Sequence, residues 1–210
     1  MRGKLITIEG IEGAGKSTAL HFIKNYFKQM DLVLTREPGG TELAEEIRNL
    51  LLHPASTEKM HAQTELLLMF AGRAQHINEC IVPALHAGKW VISDRYIDAS
   101  YAYQAYGRGL DPHMIKVLDE LVVGSLYPDL TILMDVPPEI GMQRAEKRQT
   151  QKDRIEQEQL DFFHRVREGY LSRAKQDAHR IKIIDASQSI EIVEMQIAKV
   201  LQSFQTGLEV

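Results

Sequence analysis

Residues 10–17 read GIEGAGKS, which is Gly, four residues, Gly, Lys and Ser. Glycines at such spacing let successive backbone N–H groups converge on an anion without Cβ interference, and a helix beginning there adds its partial positive charge. A lysine in that position bridges the β- and γ-phosphates of a nucleoside triphosphate, and the following hydroxyl ligates Mg²⁺. The pattern therefore assigns Gly10, Glu12, Gly13, Ala14, Gly15, Lys16 and Ser17 to an ATP site, with Thr18 positioned to donate to the α-phosphate. The plain alternative is a glycine-rich turn with a surface lysine. Four further segments carry arginine where a second anion could sit: TREPGGT (35–41), FAGRAQH (70–76), DRY (94–96) and Arg144–Glu156, which holds Arg144, Lys147, Arg148, Lys152 and Arg154. Arginine offers a planar fork for bidentate phosphate contact, so these segments are candidates for holding a second anion. Taken singly, Arg36 and Arg95 also read as local ion pairs with Glu37 and Asp94, and the basic run as a solvated helix face.

A triphosphate site leaves the use of the nucleotide open. Three classes compete: a kinase for a small acceptor, a GTPase-type switch and an ATP-driven remodelling module. The Asn-Lys-x-Asp and Asp-x-x-Gly strings of switch GTPases do not occur. The run Leu130–Asp135 ends in a carboxylate, so the remodelling class stays open on motif grounds.

The elements that must position these residues are legible as alternation. Ile-, Val- and Leu-rich runs at Leu5–Glu9, Leu32–Thr35, Trp90–Ser93, Leu130–Asp135 and Arg180–Ile184 read as strands of a parallel sheet covered on both faces. Between them, apolar residues recur at helical spacing in Lys16–Met30, Thr41–Leu52, Glu156–Ala178 and from about Ser189 onward. Asp111-Pro112 reads as an N-cap and first-turn proline of a helix ending near Gly124. Together these predict one α/β domain over residues 1–210: a P-loop fold with a five-stranded parallel sheet between helices, and ligands at the carboxyl ends of the strands.

Composition narrows the partners. A net charge of −4 lacks the basic excess of a protein that grips a nucleic-acid backbone. Cys80 is the only cysteine, so neither an intramolecular disulfide nor a multi-cysteine zinc site is available. The apolar stretch before Glu9 is too brief for a signal-peptide core, and Leu66–Ala71 is far short of a membrane span. A cytoplasmic protein is the expectation.

GIEGAGKS, TREPGGT, FAGRAQH, DRYIDASYAYQ and DRIEQE, in that order and spacing from Leu5 to about Ala178, resemble bacterial thymidylate kinase. The resemblance implies γ-phosphoryl transfer from ATP to dTMP with Mg²⁺, a nucleoside monophosphate kinase-like fold with a short lid near residues 141–154, and a homodimer. By the same resemblance Arg36 and Arg95 hold the acceptor's 5′-phosphate, and Phe70 stacks on thymine. Arg73 reaches the O4 edge, while Ser100 and Gln104 line the base. Tyr103 lies against the sugar and disfavours a 2′-hydroxyl, Glu12 contacts the 3′-hydroxyl, and Asp94 joins Ser17 near the metal. Many relatives place the stacking aromatic four residues before the arginine, where this chain has Met69. Catalytic charge falls to Lys16, Arg95 and a lid arginine, Arg148 first and Arg144 second, because the phosphate loop itself contains no arginine.

Overall fold

The computed structural model describes residues 2–54, 58–147 and 153–207. The five apolar runs form parallel strands β1 (Leu5–Glu9), β2 (Leu32–Arg36), β3 (Trp90–Asp94), β4 (Leu130–Asp135) and β5 (Ile181–Asp185), in the order β2-β3-β1-β4-β5. Thr7 pairs with Ser93 of β3 on one side and Thr131 of β4 on the other. Every residue of β1 is buried, which explains the uninterrupted apolar character of that strand apart from Thr7 and Glu9.

The helices are α1 (Lys16–Tyr26), α2 (Glu42–Leu52), α3 (Ala62–His76), α4 (Val82–His86), α5 (Ile97–Ser100), α6 (Pro112–Val122), α7 (Pro138–Glu146), α8 (Leu160–Gln176) and α9 (Ile190–Thr206). π-helical turns join α3 to α4 (Ile77–Ile81) and continue α5 (Tyr101–Gly107). Side chains alternate across the sheet, so Ile6, Ile8 and Ile92 enter one apolar cluster with Ile23 of α1 and Ile197 of α9. Leu5 and Val91 enter a second with Leu66 of α3 and Ile115 of α6. Helices therefore cover both faces, as expected. Among the described residues no helix is long and apolar enough to cross a membrane.

Element ends follow local chemistry. The Thr41 hydroxyl accepts from the Ala44 N–H and opens α2, and the Asp111 carboxylate caps α6 at the His113 N–H. α1 stops at Tyr26 rather than Met30, because Phe27 leaves helical geometry (φ −99°, ψ 26°). α8 starts at Leu160 rather than Glu156, because the Asp153 carboxylate accepts from the Ile155 and Glu156 N–H groups and holds a turn there. The sequence reading did not set out α4, α5 with its π continuation, or α7, and gave no bounds for α3. The π segment packs tightly on α8: a Cβ on Gly107 would come within 2.7 Å of the Phe162 ring, and one on Gly169 within 2.9 Å of the Ala102 Cα. That close approach presents Tyr103 and Gln104 to the site.

The strand order does the main work for function. The Arg95 N–H donates to the Ile8 carbonyl and the Glu37 N–H to the Asp94 carbonyl, so the carboxyl ends of β1, β3 and β2 lie side by side. The loops that follow them carry GIEGAGKS, DRY and REPGG.

Candidate active site

A cleft of about 410 Å³ opens along this edge. One end is the phosphate loop. Gly10 (φ 139°) and Gly13 (φ 71°) adopt backbone forms that side chains resist, and a Cβ on Gly13 would meet the Gly141 carbonyl at 1.9 Å. Gly15 caps α1, whose first turn has no side-chain cap and no acidic residue, so its N–H groups are left for an external anion. Lys16 Nζ donates to the Gly10 and Ile11 carbonyls at 3.0 and 2.9 Å. Burial and the neighbouring Arg95 pull the Lys16 ammonium down to about 8. Ser17 and Thr18 line the same end.

Arg95 sits at the centre. It has φ 70°, and among the described residues it is the one non-glycine position with positive φ. Its guanidinium donates to the Gly10 carbonyl (2.9 Å), the Tyr170 hydroxyl (3.0 Å) and the Glu12 carboxylate (2.6 Å), and lies 4.7 Å above the Tyr103 ring. The Tyr103 hydroxyl donates to the other Glu12 oxygen at 2.7 Å. Burial alone would raise Glu12, but Arg95 and Lys16 override it and hold the carboxyl below its ordinary value. Behind them Glu9 accepts from the Tyr96 N–H and the Tyr170 hydroxyl; burial and Asp98 push it up to about 8. Asp94 also lines the cleft, and its buried Oδ1 has no hydrogen-bond partner.

The far end is built on α3 and the π segment. Arg73 is 3% exposed and fully oriented: Nε donates to Glu37 (2.8 Å), Nη1 to the Ser100 hydroxyl (2.9 Å) and Nη2 to the Tyr96 carbonyl (3.0 Å). Glu37 in turn meets His76 Nδ1, and His76 Nε2 meets the Thr35 hydroxyl. Gln104 lines this end and donates through Nε2 to Glu65. Met69 is on the cleft wall. Phe70 is not: it is 2% exposed, packed in the second apolar cluster with its ring under the Arg73 guanidinium at 4.8 Å. Adjacent helical positions point about 100° apart, so only one of the two can face the cleft. Of the two positions considered for covering the base, the cleft wall therefore holds Met69 and not Phe70.

The local ion pairs considered for the arginines do not form. Arg36 bonds to Glu45 with both contacts near 3 Å, Arg95 to Glu12, and Glu37 serves Arg73 and His76. Arg36 lines the cleft with its side chain 52% exposed. Arg48, which the sequence reading passed over, lines it too and donates to the Pro38 carbonyl. Its place four residues from both Ala44 and Leu52, buried positions of α2, was the available signal. Arg144 reaches the cleft while donating to the Ala186 and Ser187 carbonyls. Arg154 is bound to the Leu51 carbonyl and Glu65. Arg148 lies outside the described residues. Asp135, the strand-end carboxylate that kept a remodelling ATPase open, is occupied by a bidentate pair with Arg167 at 2.7 and 2.9 Å.

A family model described as thymidylate kinase matches residues 8–197. The chain belongs to the thymidylate kinase family. Thymidylate kinase of Vesicomyosocius okutanii is 53% identical over 204 residues, covering 96% of this chain and 98% of the relative. That of Ruthia magnifica is 52% identical over 203 residues, with 96% and 98% covered. The crystal structure of thymidylate kinase from Ehrlichia chaffeensis superposes with a TM-score of 0.76 at 36% identity, covering 96% of this chain and 99% of that one. This kinase accordingly transfers a phosphoryl group from ATP to dTMP, giving dTDP. Such a reaction brings two polyanions together against fixed positive charge, and in this cleft Lys16 and Arg95 both donate to the Gly10 carbonyl.

Proposed function

We propose that ATP lies on the phosphate loop and dTMP lies between Arg95 and the α3 wall, so that the acceptor's 5′-phosphate meets the γ-phosphate beside Lys16 and Arg95. The observation that carries this reading is that the Gly10 carbonyl accepts from both Lys16 and Arg95, so the donor loop and the acceptor clamp share one atom. The nucleophile is a phosphate oxygen of dTMP. Its second pKa is about 6, so the dianion is already dominant at neutral pH and no general base is needed. The barrier is electrostatic, since two polyanions must be brought in line and the charge on the transferred group stabilised. Arg36 and Arg95 clamp the acceptor phosphate, and Lys16 holds the β- and γ-phosphates. Arg148 or Arg144 supplies further cationic charge from the lid at 141–154.

Ser17 and Asp94 would hold Mg²⁺: both line the cleft, and the unpartnered Asp94 Oδ1 and a hydroxyl are hard oxygen donors of the kind that ion prefers. Bound there, Mg²⁺ would neutralise phosphate charge. Glu12 receives the 3′-hydroxyl, Tyr103 fills the space of a 2′-hydroxyl, and Arg73, Ser100 and Gln104 meet the base edge beneath Met69. A homodimer through α3 and α6 fits the exposure there of Leu67 (58%), Val117 (48%) and Leu121 (78%). A cytoplasmic location fits a biosynthetic kinase.

The test is ADP release measured against dTMP, dUMP, dCMP, dGMP and thymidine. Turnover is expected with dTMP and not with thymidine, which lacks the anion that Arg36 and Arg95 clamp. An Arg36→Ala variant with unchanged KM for dTMP would remove Arg36 from that role.

A further inference from the structure

Glu65 is a carboxylate on α3 that is 1% exposed and lies behind the base-binding end of the cleft. Its Oε1 accepts from Gln104 Nε2 at 2.9 Å and from Arg108 Nε at 3.2 Å. Its Oε2 accepts from Arg108 Nε at 3.1 Å and from Arg154 Nη2 at 2.6 Å. Burial would keep such a group protonated, but Arg108, with Gln104 and Arg154, draws the carboxyl below its ordinary value, so it is ionised. An ionised carboxylate has no proton to give. The two ends of a carboxamide have the same shape, and hydrogen bonding alone decides which way it faces. Glu65 therefore admits only the NH₂ end of Gln104 and leaves the carbonyl Oε1 for the cleft that Gln104 lines.

We propose that Glu65 is a specificity-determining positioning residue: it fixes the Gln104 carboxamide so that the base subsite offers an acceptor to N3 of the pyrimidine. This rests on the placement of the dTMP base between Arg73 and Gln104. Arg73 adds the complementary donor. Its Nη1 and Nη2 each keep one N–H beyond those given to Ser100 and the Tyr96 carbonyl. The wall then presents an acceptor beside a donor, which complements the N3–H and O4 of thymine. Cytosine-type edges, with an N3 acceptor and a 4-amino donor, oppose it at both points. Had Glu65 been an amide, Gln104 could turn over and serve either base. The position 39 residues away in sequence thus carries part of the base choice.

The test compares dTMP with 5-methyl-dCMP, which keeps the ring and the methyl group and reverses the hydrogen-bonding edge. In Glu65→Gln the Gln104 amide is free to adopt two orientations. Affinity for dTMP is expected to fall by only about twofold, the cost of halving the competent population. The preference for dTMP over 5-methyl-dCMP, read as a ratio of dissociation constants, is expected to shrink by about tenfold, Arg73 retaining the remainder. Loss of both affinities in parallel, with the preference intact, would show that Glu65 is only a counter-ion for Arg108 and Arg154 and would overturn the proposal. A Gln104→Ala variant separates the underlying reading. If it binds dTMP normally, the base does not lie against Gln104, and the proposal falls for that reason instead. Should Glu65→Gln fail to fold, the wild-type enzyme labelled with ¹⁵N-glutamine serves, its Gln104 signal assigned by loss in Gln104→Ala. Carboxamide protons protected from exchange both before and after dTMP addition support the orientation, and free exchange in either state overturns it.

Discussion

The Arg95 guanidinium lies 2.6 Å from the Glu12 carboxylate, across 83 residues of chain, while another of its amino groups donates to the Gly10 carbonyl of the same phosphate loop. The pair ties the loop after β3 to the loop after β1. It also pairs a largely buried cation in the cleft with a carboxylate. Glu12 is the counter-ion that makes this tolerable, and by accepting from the Tyr103 hydroxyl it extends the tie to the π segment.

Arg95→Ala is expected to lower kcat by at least about 10²-fold, because a preorganised cation at the transferring group is lost. Arg95→Gly is expected to be equally inactive yet more stable than Arg95→Ala. At φ 70° a Cβ costs about 1–2 kcal/mol that glycine avoids. Steady-state kinetics and thermal melts of the two variants check both halves. Equal melting temperatures would mean that the backbone there is not strained.

Tyr103 is 4% exposed and held by Glu12, so its ring cannot swing away from an added hydroxyl. The ribonucleotide counterpart of dTMP is expected to be phosphorylated about fivefold to 10²-fold less efficiently, since displacing a packed, hydrogen-bonded ring costs about 1–3 kcal/mol. Tyr103→Ala should narrow that gap more than Tyr103→Phe, which keeps the ring. Competition assays with both nucleotides measure it, and equal efficiencies in the wild type would remove the ring from this role.

Met69 and Phe70 separate binding from folding. Phe70→Ala is expected to destabilise by about 3–5 kcal/mol through the cavity it leaves, with the KM for dTMP little changed in protein that remains folded. Met69→Ala, on the cleft wall, is expected to raise that KM several-fold at a smaller cost in stability. Denaturant titration and kinetics on the pair decide between them, and the reverse pattern would restore Phe70 as the residue covering the base.

Stability is expected to fall between pH 6.5 and 8. Glu9 is raised from 4.5 to about 8 by burial and Asp98, so the folded chain binds a proton that the unfolded chain has released, and stability is lost as pH climbs through that range. His76 is raised from 6.5 to about 9; burial opposes the charge, but Cys80 and Glu37 outweigh it. Its contribution is complete below about pH 6.5 and is lost as pH rises through 9. The slopes therefore add, whereas Lys16, lowered from 10.5 to about 8, acts with the opposite sign only above pH 8. Melting temperature should drop by on the order of 5 °C across the window, and His76→Gln should flatten the profile. A flat wild-type profile would contradict the assignment.

Much of this protein was readable without coordinates, and what was readable shares a property. The phosphate site is contiguous: eight successive residues, chiefly through their backbone, build it, so spacing alone suffices. The strands were readable because burial on both faces leaves an almost unbroken apolar run, and the α2 and α6 starts because Thr41 and Asp111 cap their own helices. The family follows from motifs that are each contiguous in sequence, whether they fold as a loop, like GIEGAGKS, or within a helix, like FAGRAQH.

Partnerships were decided by tertiary structure. Charges adjacent in sequence invited the pairs Arg36–Glu37 and Arg95–Asp94, yet the chain turns as it leaves β2 and β3, with Arg95 at φ 70°, and both arginines found their partners elsewhere. Arg36 reaches Glu45, Arg95 reaches Glu12, and Glu37 crosses to Arg73. The choice of Met69 over Phe70 at the cleft turned on which face of α3 meets the sheet, a matter of 100° of helix rotation that helical periodicity around Arg73 left equal. The orientation of Gln104 depended on Glu65, brought beside it only when α3 and the π segment pack. Local chemistry thus wrote the donor site and the elements into the chain, whereas the acceptor site required the strand order to bring distant side chains within a few ångströms of one another.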